Sequence, residues 1–421
     1  VVGHGVNEGD TWRYQLRHSF VPDTEQLRTT QFFCFTCQRT DVIGFDPRGI
    51  GQSTPIACWS PDDVQAMMAG RAEAPSQLTP GSAADIVAKG SREATACQKY
   101  TEVPEILDHM DTRSVARDMD VMRALVKDQD LNFFGYSYGT YLGAHYAELF
   151  PANTGRMVLD GAVDPSLSLG DRAAGQAQGF EAALRTCVQQ CQSGQAVQEG
   201  QSCPLTGDAD AGVQQVRALI ASADQTPLKT ADPNVTVDGS TIRSAIRRLR
   251  YSAEYWPLLT YALDQASTQK DGSYIQVLYG KMTAGGSAPT FYAVNCQDSP
   301  VQGDMTSWEK EYQQILQSSP TFGASLGNQD ARRQAWGHNG PRKPAPIHAK
   351  GAAPILVVGT PGDPATPYAW SESLADQLES GQLMTWKGDG HTAYGRSNDC
   401  VKKAVDTYLL NGTMPDKGLT C

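Results

Sequence analysis

Residues 132–140 constrain the fold of this chain more than any other stretch. A short apolar run leads directly into Gly-Tyr-Ser-Tyr-Gly, and a helix-like segment follows at once. A strand that turns sharply into a helix leaves little room at the turn, and the two glycines allow the Ser137 hydroxyl to project from it. Backbone N–H groups at the start of the helix then face the space beside that hydroxyl, where an oxyanion can form. The pattern predicts a strand–turn–helix unit that presents Ser137 as a nucleophile.

The flanking segments favour this interpretation over an ordinary turn, which a chain with 40 glycines can produce by chance. Apolar residues recur at helical spacing over residues 112–127, which is typical of an amphipathic helix. Residues 41–46 and 157–161 are short apolar runs that predict buried strands, and residues 141–150 predict the helix after Ser137. Strands that alternate with helices predict an α/β fold with a mostly parallel sheet.

A serine hydroxyl is a poor nucleophile until a base removes its proton, so Ser137 needs a histidine and an acid that orients it. Of the seven histidines, His391 lies in a Gly-Asp-Gly-His loop directly after a strand-like run. Asp363 follows residues 353–359, an apolar run that predicts a buried strand. The three residues occur in the chain order that a strand–turn–helix nucleophile requires, which predicts a Ser137–Asp363–His391 triad.

Each acid and base has an alternative interpretation. Asp363 also suits a turn, or the cap of a helix that begins at Tyr368, since Asp-Pro sequences favour turns. His391 also suits a solvated loop. Asp160, at the end of the strand after the nucleophile helix, is a competing acid, although its Leu-Asp-Gly context also suits a structural turn.

Six motifs occur in order from residue 41 onward. They are Asp-Val-Ile-Gly-Phe-Asp-Pro-Arg-Gly-Ile-Gly-Gln-Ser at 41–53, Asp-Thr-Arg-Ser-Val-Ala-Arg-Asp-Met-Asp at 111–120, Gly-Tyr-Ser-Tyr-Gly-Thr-Tyr-Leu-Gly at 135–143, Val-Leu-Asp-Gly at 158–161, Gly-Asp-Pro-Ala-Thr-Pro at 362–367 and Gly-His-Thr at 390–392. In these motifs the chain resembles the secreted tripeptidyl aminopeptidases of actinobacteria and their prolyl-aminopeptidase-like relatives among the α/β-hydrolases. The resemblance implies an α/β-hydrolase fold with Ser137 as nucleophile, Asp363 as acid and His391 as base.

The oxyanion donor that we predict first is the backbone N–H of Tyr138, which follows the serine. Members of the family carry a Gly-Pro-rich loop after an early strand, and its backbone supplies a second donor. Residues 1–40 depart from that pattern, and Gly5 is the nearest match to the loop. The two strands expected before it are absent from the sequence, which indicates a fragment or an altered amino terminus.

Composition indicates a secreted globular enzyme. A chain of 421 residues with 40% hydrophobic content can bury a large core in one wide α/β unit with an insertion. No run of eighteen or more apolar residues occurs, so no membrane span is expected. A net charge of -11 argues against a nucleic-acid partner. No signal peptide precedes Val1, so we expect a mature or truncated form of a secreted protein. No cofactor is implied.

Ten cysteines predict disulfides and an oxidising compartment. The favoured local pairs are Cys58 with Cys97 and Cys400 with Cys421. Two more disulfides are expected among a further four cysteines, whose connectivity stays open: Cys187, Cys191, Cys203 and Cys296. Cys34 and Cys37 form a C-x-x-C without a second pair at matching spacing, so no metal site is predicted.

The stretch between Ser137 and Asp363 is too long for the remaining core elements. We expect residues 1–165 to form the first part of the α/β core, 166–345 a helical cap, and 346–421 the second part. Helical segments are predicted at 175–191, 209–223, 241–250, 256–266 and 305–317. A cap over the carboxyl edge of the sheet restricts the site to a pocket, which favours small substrates or chain ends.

An enzyme that acts at a free amino terminus needs a carboxylate to hold the ammonium group. Glu254 and Asp298 are the candidates in the cap, with a solvated or capping side chain as the alternative for each. Trp256 is a candidate for the pocket wall, although aromatic residues in a helical cap more often serve packing.

We therefore expect a serine hydrolase that cleaves amide bonds near the free amino terminus of short peptides through an acyl-enzyme. Two alternatives stay open: an esterase or lactonase acting on small apolar esters, and a non-catalytic binding protein that has kept the fold.

Overall fold

The computed structural model describes residues 2–3, 42–60, 62, 83–283 and 288–421. A wholly parallel five-stranded sheet lies at its centre. In their order across the sheet, its strands are β1 (Val2–Gly3), β2 (Leu131–Tyr136), β3 (Thr154–Asp160), β6 (Ile355–Gly359) and β7 (Gly381–Thr385). A separate antiparallel pair consists of β4 (Leu228–Lys229) and β5 (Thr236–Val237).

Helices occupy most of the remaining described chain. In chain order they are α1 (Ala83–Tyr100), α2 (Thr112–Leu125), α3 (Tyr138–Leu149), α4 (Leu169–Gln192), α5 (Ala209–Gln225), α6 (Gly239–Leu249), α7 (Trp256–Asp264), α8 (Ser273–Thr283), α9 (Ala288–Asp298), α10 (Met305–Ser318), α11 (Gly323–Leu326), α12 (Gln329–Trp336), α13 (Tyr368–Gln377) and α14 (Asp399–Asn411).

The sheet is covered on both faces, which is why its strands are nearly continuous apolar runs. Alternate residues of β3 point to opposite faces: Met157 and Leu159 join a core with α2, α3 and α13, whereas Val158 joins a core with α14. Every residue of β6 is buried. A parallel sheet between two helical layers is the α/β-hydrolase arrangement that the sequence predicts.

One predicted strand is wrong. Over residues 42–46 the described backbone forms no strand, and Gly44 alone makes a bridge. The side chains there are half-buried rather than buried. A strand persists only where a neighbour completes its ladder, and no described strand pairs with residues 42–46. By contrast the predicted helix at 112–127 is observed as α2, which ends two residues early.

The helices between β3 and β6 have a hydrophobic core of their own. Phe180 of α4, Ile246 of α6, Trp256 of α7 and Phe322 just before α11 are among its buried members. All five predicted helical segments of this region are present as α4, α5, α6, α7 and α10, with ends that differ by a few residues. Helices α8, α9, α11 and α12 were not predicted from the sequence.

Helix α1 packs on this helical region rather than on the sheet. It lies against α12, where Glu93 accepts hydrogen bonds from the Arg332 guanidinium in a buried ion pair. A small apolar cluster joins the Cys58–Cys97 disulfide to Tyr292 and Trp336. The segment before the sheet therefore adds to the helical layer that follows β3.

Three disulfides are present in the described residues. Cys58 is bonded to Cys97 and Cys400 to Cys421, the two pairs that the sequence favours. Of the other four cysteines, only Cys191 and Cys203 are bonded.

The expectation of a fourth disulfide, between the remaining two of those cysteines, is wrong for this structure. Cys187 and Cys296 are free and buried. Cys187 belongs to the core of the helical region, whereas Cys296 belongs to the cluster around Trp336, so the two thiols are held in different parts of the fold. Cys34 and Cys37 lie outside the described residues.

Candidate active site

Ser137 occupies a strained turn between β2 and α3. Its φ of 53° and ψ of -122° place a non-glycine residue in a backbone region that is costly to adopt. The turn is held by two hydrogen bonds: the Ser137 N–H donates to the carbonyl of Asp160 (2.9 Å), and the Thr140 N–H donates to the carbonyl of Ser137 (2.9 Å). Helix α3 therefore begins directly at the serine, as the Gly-x-Ser-x-Gly pattern predicts.

Close backbone contact explains the first glycine of the motif. A Cβ atom added at Gly135 would lie 2.5 Å from the carbonyl oxygen of Gly139, which is far inside van der Waals contact. No larger residue fits at position 135 without moving the start of α3. The N–H of Tyr138 lies in the first turn of the helix, where backbone donors have no intrahelical acceptor. It is thus the candidate oxyanion donor beside Ser137.

Asp363 and His391 form a buried pair. The His391 ring, 6% exposed, places Nδ1 at 2.9 Å and 3.0 Å from the two carboxylate oxygens of Asp363. Asp363 also accepts the N–H groups of Ala365 (2.8 Å) and Thr366 (2.9 Å) and the Thr366 hydroxyl (2.9 Å). Because a carboxylate only accepts, Nδ1 carries the proton and Nε2 presents its lone pair. Asp363 also holds the turn that its alternative interpretation predicts, through these N–H groups, whereas the cap of α13 is Pro367.

His391 is fixed from a second side by the turn after α6. Its backbone N–H donates to the carbonyl of Tyr251 (2.8 Å), and the edge of the Tyr251 ring lies against the imidazole with the centroids 5.2 Å apart. A backbone bridge between Ser252 and Gly390 extends this contact. The Nε2 atom is buried and makes no hydrogen bond to any described residue. A buried, basic nitrogen without a partner is what a general base needs before substrate binds.

The end of β3 connects the serine to the histidine. Ser137 is bonded to the Asp160 carbonyl, and the next residue, Gly161, lies against the imidazole: a Cβ added there would meet His391 Cε1 at 3.3 Å. No hydrogen bond joins the Ser137 hydroxyl to Nε2 in this structure. Such bonds are often long in unliganded enzymes and shorten in complexes with substrate.

Asp160, the competing acid, has a different role. Its carboxylate accepts the N–H groups of Ala393 (3.0 Å) and Tyr394 (2.8 Å), just beyond His391, instead of contacting the ring nitrogen. Burial raises the pKa of Asp160 to about 7; the two backbone donors and His391 oppose that rise, and Asp363 adds to it. One residue thus holds the serine turn through its carbonyl and the histidine loop through its side chain.

Asp160→Asn is expected to lower kcat by about 10–100-fold with little change in KM, because the uncharged amide oxygen is a weaker acceptor than the carboxylate for the two loop N–H groups. A carboxyl whose pKa is higher in the folded than in the unfolded chain reduces stability as pH rises, here from about 4 to about 7. The variant lacks that group, so its stability relative to the wild type should improve with pH, by about 4 kcal/mol across the window. Steady-state kinetics and thermal melts at several pH values measure both effects; unchanged kcat would contradict the role.

A hydrogen-bonded chain links Tyr138 to Asp298. The Tyr138 hydroxyl lies 2.5 Å from the Thr112 hydroxyl, and Asp298 accepts both the N–H (2.7 Å) and the hydroxyl (2.6 Å) of Thr112. Burial raises the pKa of Asp298 to about 6, against the two hydrogen bonds from Thr112. The structure therefore places this carboxylate beside the side chain of the residue that follows the nucleophile.

The other predicted binding residues have different surroundings. Glu254 is exposed, in a short turn next to the Ser252–Gly390 bridge and hence near the histidine loop. The prediction for Trp256 is wrong: its side chain is 1% exposed and packs in the core of the helical region, because the first turn of α7 directs it inward. Gly5 lies outside the described residues.

Several contacts of the site were not predicted from the sequence. Thr366, whose hydroxyl donates to Asp363, stands three residues after it in the Asp-Pro-Ala-Thr motif, so the motif itself carried a signal. The Tyr251 carbonyl is a backbone acceptor and leaves no mark in the sequence. Among the described residues, no group of three or more His, Cys, Asp or Glu side chains is arranged to hold a metal ion.

The sheet, the strained serine and the buried carboxylate–imidazole pair define an α/β-hydrolase. A family profile described as "TAP-like protein" matches residues 319–421. Serine protease Hip1 of Mycobacterium tuberculosis (strain ATCC 25618 / H37Rv) is 31% identical over 403 residues, covering 91% of this chain and 75% of the relative. Carboxylesterase B of the same strain is 34% identical over 392 residues, covering 90% and 73%. Tripeptidyl aminopeptidase of Streptomyces lividans is 30% identical over 406 residues, covering 92% and 71%.

This protein belongs to the TAP-like family of α/β-hydrolases. The resemblance that the six sequence motifs carry is confirmed by these relatives.

Proposed function

We propose that this protein is a serine peptidase that cleaves an amide bond near the free amino terminus of short peptides. The observation that carries the proposal is the buried Asp363–His391 pair. The Nε2 atom of His391, which has no hydrogen-bond partner in the described residues, lies near the end of β3, the strand that also holds the Ser137 turn. The names of two relatives, a serine protease and a tripeptidyl aminopeptidase, support a peptidase.

The reaction follows from the roles that the geometry permits. His391 takes the Ser137 proton at Nε2 as the serine oxygen attacks the carbonyl carbon, and the Tyr138 N–H stabilises the resulting oxyanion. His391 then donates that proton to the leaving amine, and the acyl-enzyme remains. Water repeats the sequence and releases the amino-terminal fragment. Throughout, Asp363 keeps the proton on Nδ1 and stabilises the imidazolium.

A panel of peptide nitroanilides tests the proposal. Each peptide is prepared with a free and with an acetylated amino terminus, and short acyl esters form a third set. The proposal expects turnover of free-amino peptides at least about 100-fold above that of their acetylated counterparts, since the acetylated form lacks the ammonium group that a carboxylate of the site would bind. Turnover of esters alone would instead favour an esterase, the second candidate, which the name of the Carboxylesterase B relative supports.

We also propose Asp298 and Glu254 as the carboxylates that hold the substrate ammonium group. Asp298 lies beside Tyr138 and is half-buried, whereas Glu254 is exposed near the histidine loop. A charge-assisted hydrogen bond is stronger where water is excluded, so Asp298 should contribute more than Glu254.

Asp298→Asn is expected to raise KM for free-amino peptides by about 10–100-fold, because it removes the negative charge while an amide can still bond to Thr112. Acetylated peptides, which carry no ammonium group, should show little change. Glu254→Gln serves as the matched comparison, with a smaller effect expected on the exposed side. An equal rise in KM for free and acetylated peptides would show that position 298 is only structural.

We propose that residues 166–345 act as a cap above the carboxyl ends of β2, β3, β6 and β7. Their hydrophobic core is separate from the two cores on the sheet, and the turn after α6 reaches down to His391. A cap in this position would admit the end of a peptide chain but not a folded loop of a protein, which suits an exopeptidase.

We propose that the protein acts outside the cell. Three disulfides fit an oxidising compartment, and none of the helices in the described part of the chain is both long and apolar enough to cross a bilayer.

Alkylation of the denatured, unreduced protein should modify Cys187 and Cys296, and the six bonded cysteines should react only after reduction. Peptide mass mapping measures this; ready alkylation of Cys400 or Cys421 without reductant would count against it.

A further inference from the structure

Arg250, at the end of α6, is a fully buried guanidinium without a hydrogen-bond partner in the described part of the chain. Its exposed fraction is 0%. Nε, Nη1 and Nη2 are all buried, and none of them bonds to any described residue. Guanidinium groups carry five N–H donors, so an arginine with every nitrogen unpaired inside a protein calls for an acceptor.

Two aromatic rings lie near this guanidinium but do not hydrogen-bond to it. The central carbon lies 4.1 Å from the centroid of the Phe322 ring and 5.4 Å from that of the Phe180 ring. The two centroids are 6.1 Å apart, so the rings lie on adjacent sides of the group, where their cation–π contacts stabilise its charge. The N–H bonds lie in the plane of the group, and only an acceptor at the edge can satisfy them.

No carboxylate of the described residues makes a hydrogen bond with Arg250. Burial lowers the pKa of Arg250 to about 9, so the group is still protonated at neutral pH. Burial also raises the pKa of the nearby Cys187 thiol to about 12, so that thiol is neutral. Glu181, whose charge also acts on Arg250, is engaged by Arg217 and by the N–H and hydroxyl of Thr321. An uncompensated charge in such a core is costly.

We propose that Arg250 binds a small inorganic anion, chloride under physiological conditions, at the edge of its guanidinium in the core of the helical region. Phe180, Phe322 and Cys187, three of the side chains near it, are apolar or weakly polar. These three give little support to the additional oxygens of a phosphate or a carboxylate, whereas a single-atom anion needs only the guanidinium edge.

The site lies one residue from the turn that holds the candidate base. Tyr251 follows Arg250, accepts the His391 N–H and places its ring edge on the imidazole. A bound anion fixes this turn and with it the position of His391. The link to catalysis depends on the proposed function, but the binding of the anion does not.

Thermal melts at constant ionic strength test the binding without any substrate. Replacing sodium gluconate by sodium chloride, at about 0.15 M total salt, is expected to raise Tm by about 2–5 °C with a saturating dependence on chloride. Arg250→Met should lose the dependence on chloride. Arg185→Met, which removes a half-exposed arginine paired with Asp210, should keep it.

Crystals grown with bromide in place of chloride decide the matter even if Arg250→Met does not fold. An anomalous peak within hydrogen-bond distance of the Arg250 guanidinium would support the proposal. Ordered water at that position, with a Tm that does not depend on chloride, would overturn it. Failure of the peptidase panel would leave both measurements unaffected, so the two proposals can fail separately.

Discussion

Ser137→Ala is expected to lower kcat on a free-amino peptide nitroanilide by about 10⁵–10⁶-fold, because no acyl-enzyme can form without the serine oxygen. KM should change little, since the variant keeps the remaining contacts with the substrate. The methyl group of alanine fits wherever the serine side chain fits, so the fold should be preserved. Initial rates measure the effect when they are divided by a protein concentration determined without reference to activity.

Ser193→Ala is the matched control for this variant. Ser193 follows α4, is exposed, and donates its hydroxyl only to the carbonyl of Gln190. Its replacement should leave kcat within about twofold of the wild type, as for most surface substitutions. Peptidase activity in Ser137→Ala above about one hundredth of the wild-type value would exclude this serine as the nucleophile.

Asp363→Asn carries the second-largest expected effect, a loss of about 10⁴-fold in kcat. Asp363 is buried and accepts hydrogen bonds from His391 Nδ1, two backbone N–H groups and the Thr366 hydroxyl. An asparagine amide that donates to Nδ1 moves the imidazole proton to Nε2, where it blocks the uptake of the serine proton.

The pH profile separates this effect from simple misfolding. Because the asparagine variant holds the neutral histidine in the wrong tautomer, its residual activity should rise at alkaline pH, where hydroxide replaces the base. Asp376→Asn, on the exposed side of α13, is the matched control and should retain full activity. If Asp363→Asn kept more than about a tenth of the wild-type kcat, Asp363 would not be the orienting acid.

The sequence predicts the central fold well because its signals there are local and strong. Residues 353–359 form a continuous apolar run, and β6 is buried at every position. Residues 112–127 carry a helical period, and α2 begins at Thr112 with Asp111 as its cap. Gly135 records a steric limit that no other residue type satisfies, since a Cβ there would meet the Gly139 carbonyl, so the turn at Ser137 is visible in the sequence itself.

Long-range packing explains what the sequence does not reveal. Trp256 packs in the core of the helical region. The sequence alone cannot show whether an aromatic residue of a helical cap lines a pocket or packs inside. The sequence does not distinguish the free Cys187 and Cys296 from bonded cysteines. The two stay unbonded because they pack in different hydrophobic clusters. The hold of Asp160 on the histidine loop depends on backbone N–H groups, which every residue except proline possesses.

A fluorophosphonate labelling experiment tests the central claim most directly, because the reagent reports an activated serine whatever the substrate. Peptide mass mapping should find the label on Ser137, and labelling should be abolished in Ser137→Ala and slowed by at least about 10³-fold in His391→Ala. A label on another serine, or a rate that does not depend on His391, would contradict the account.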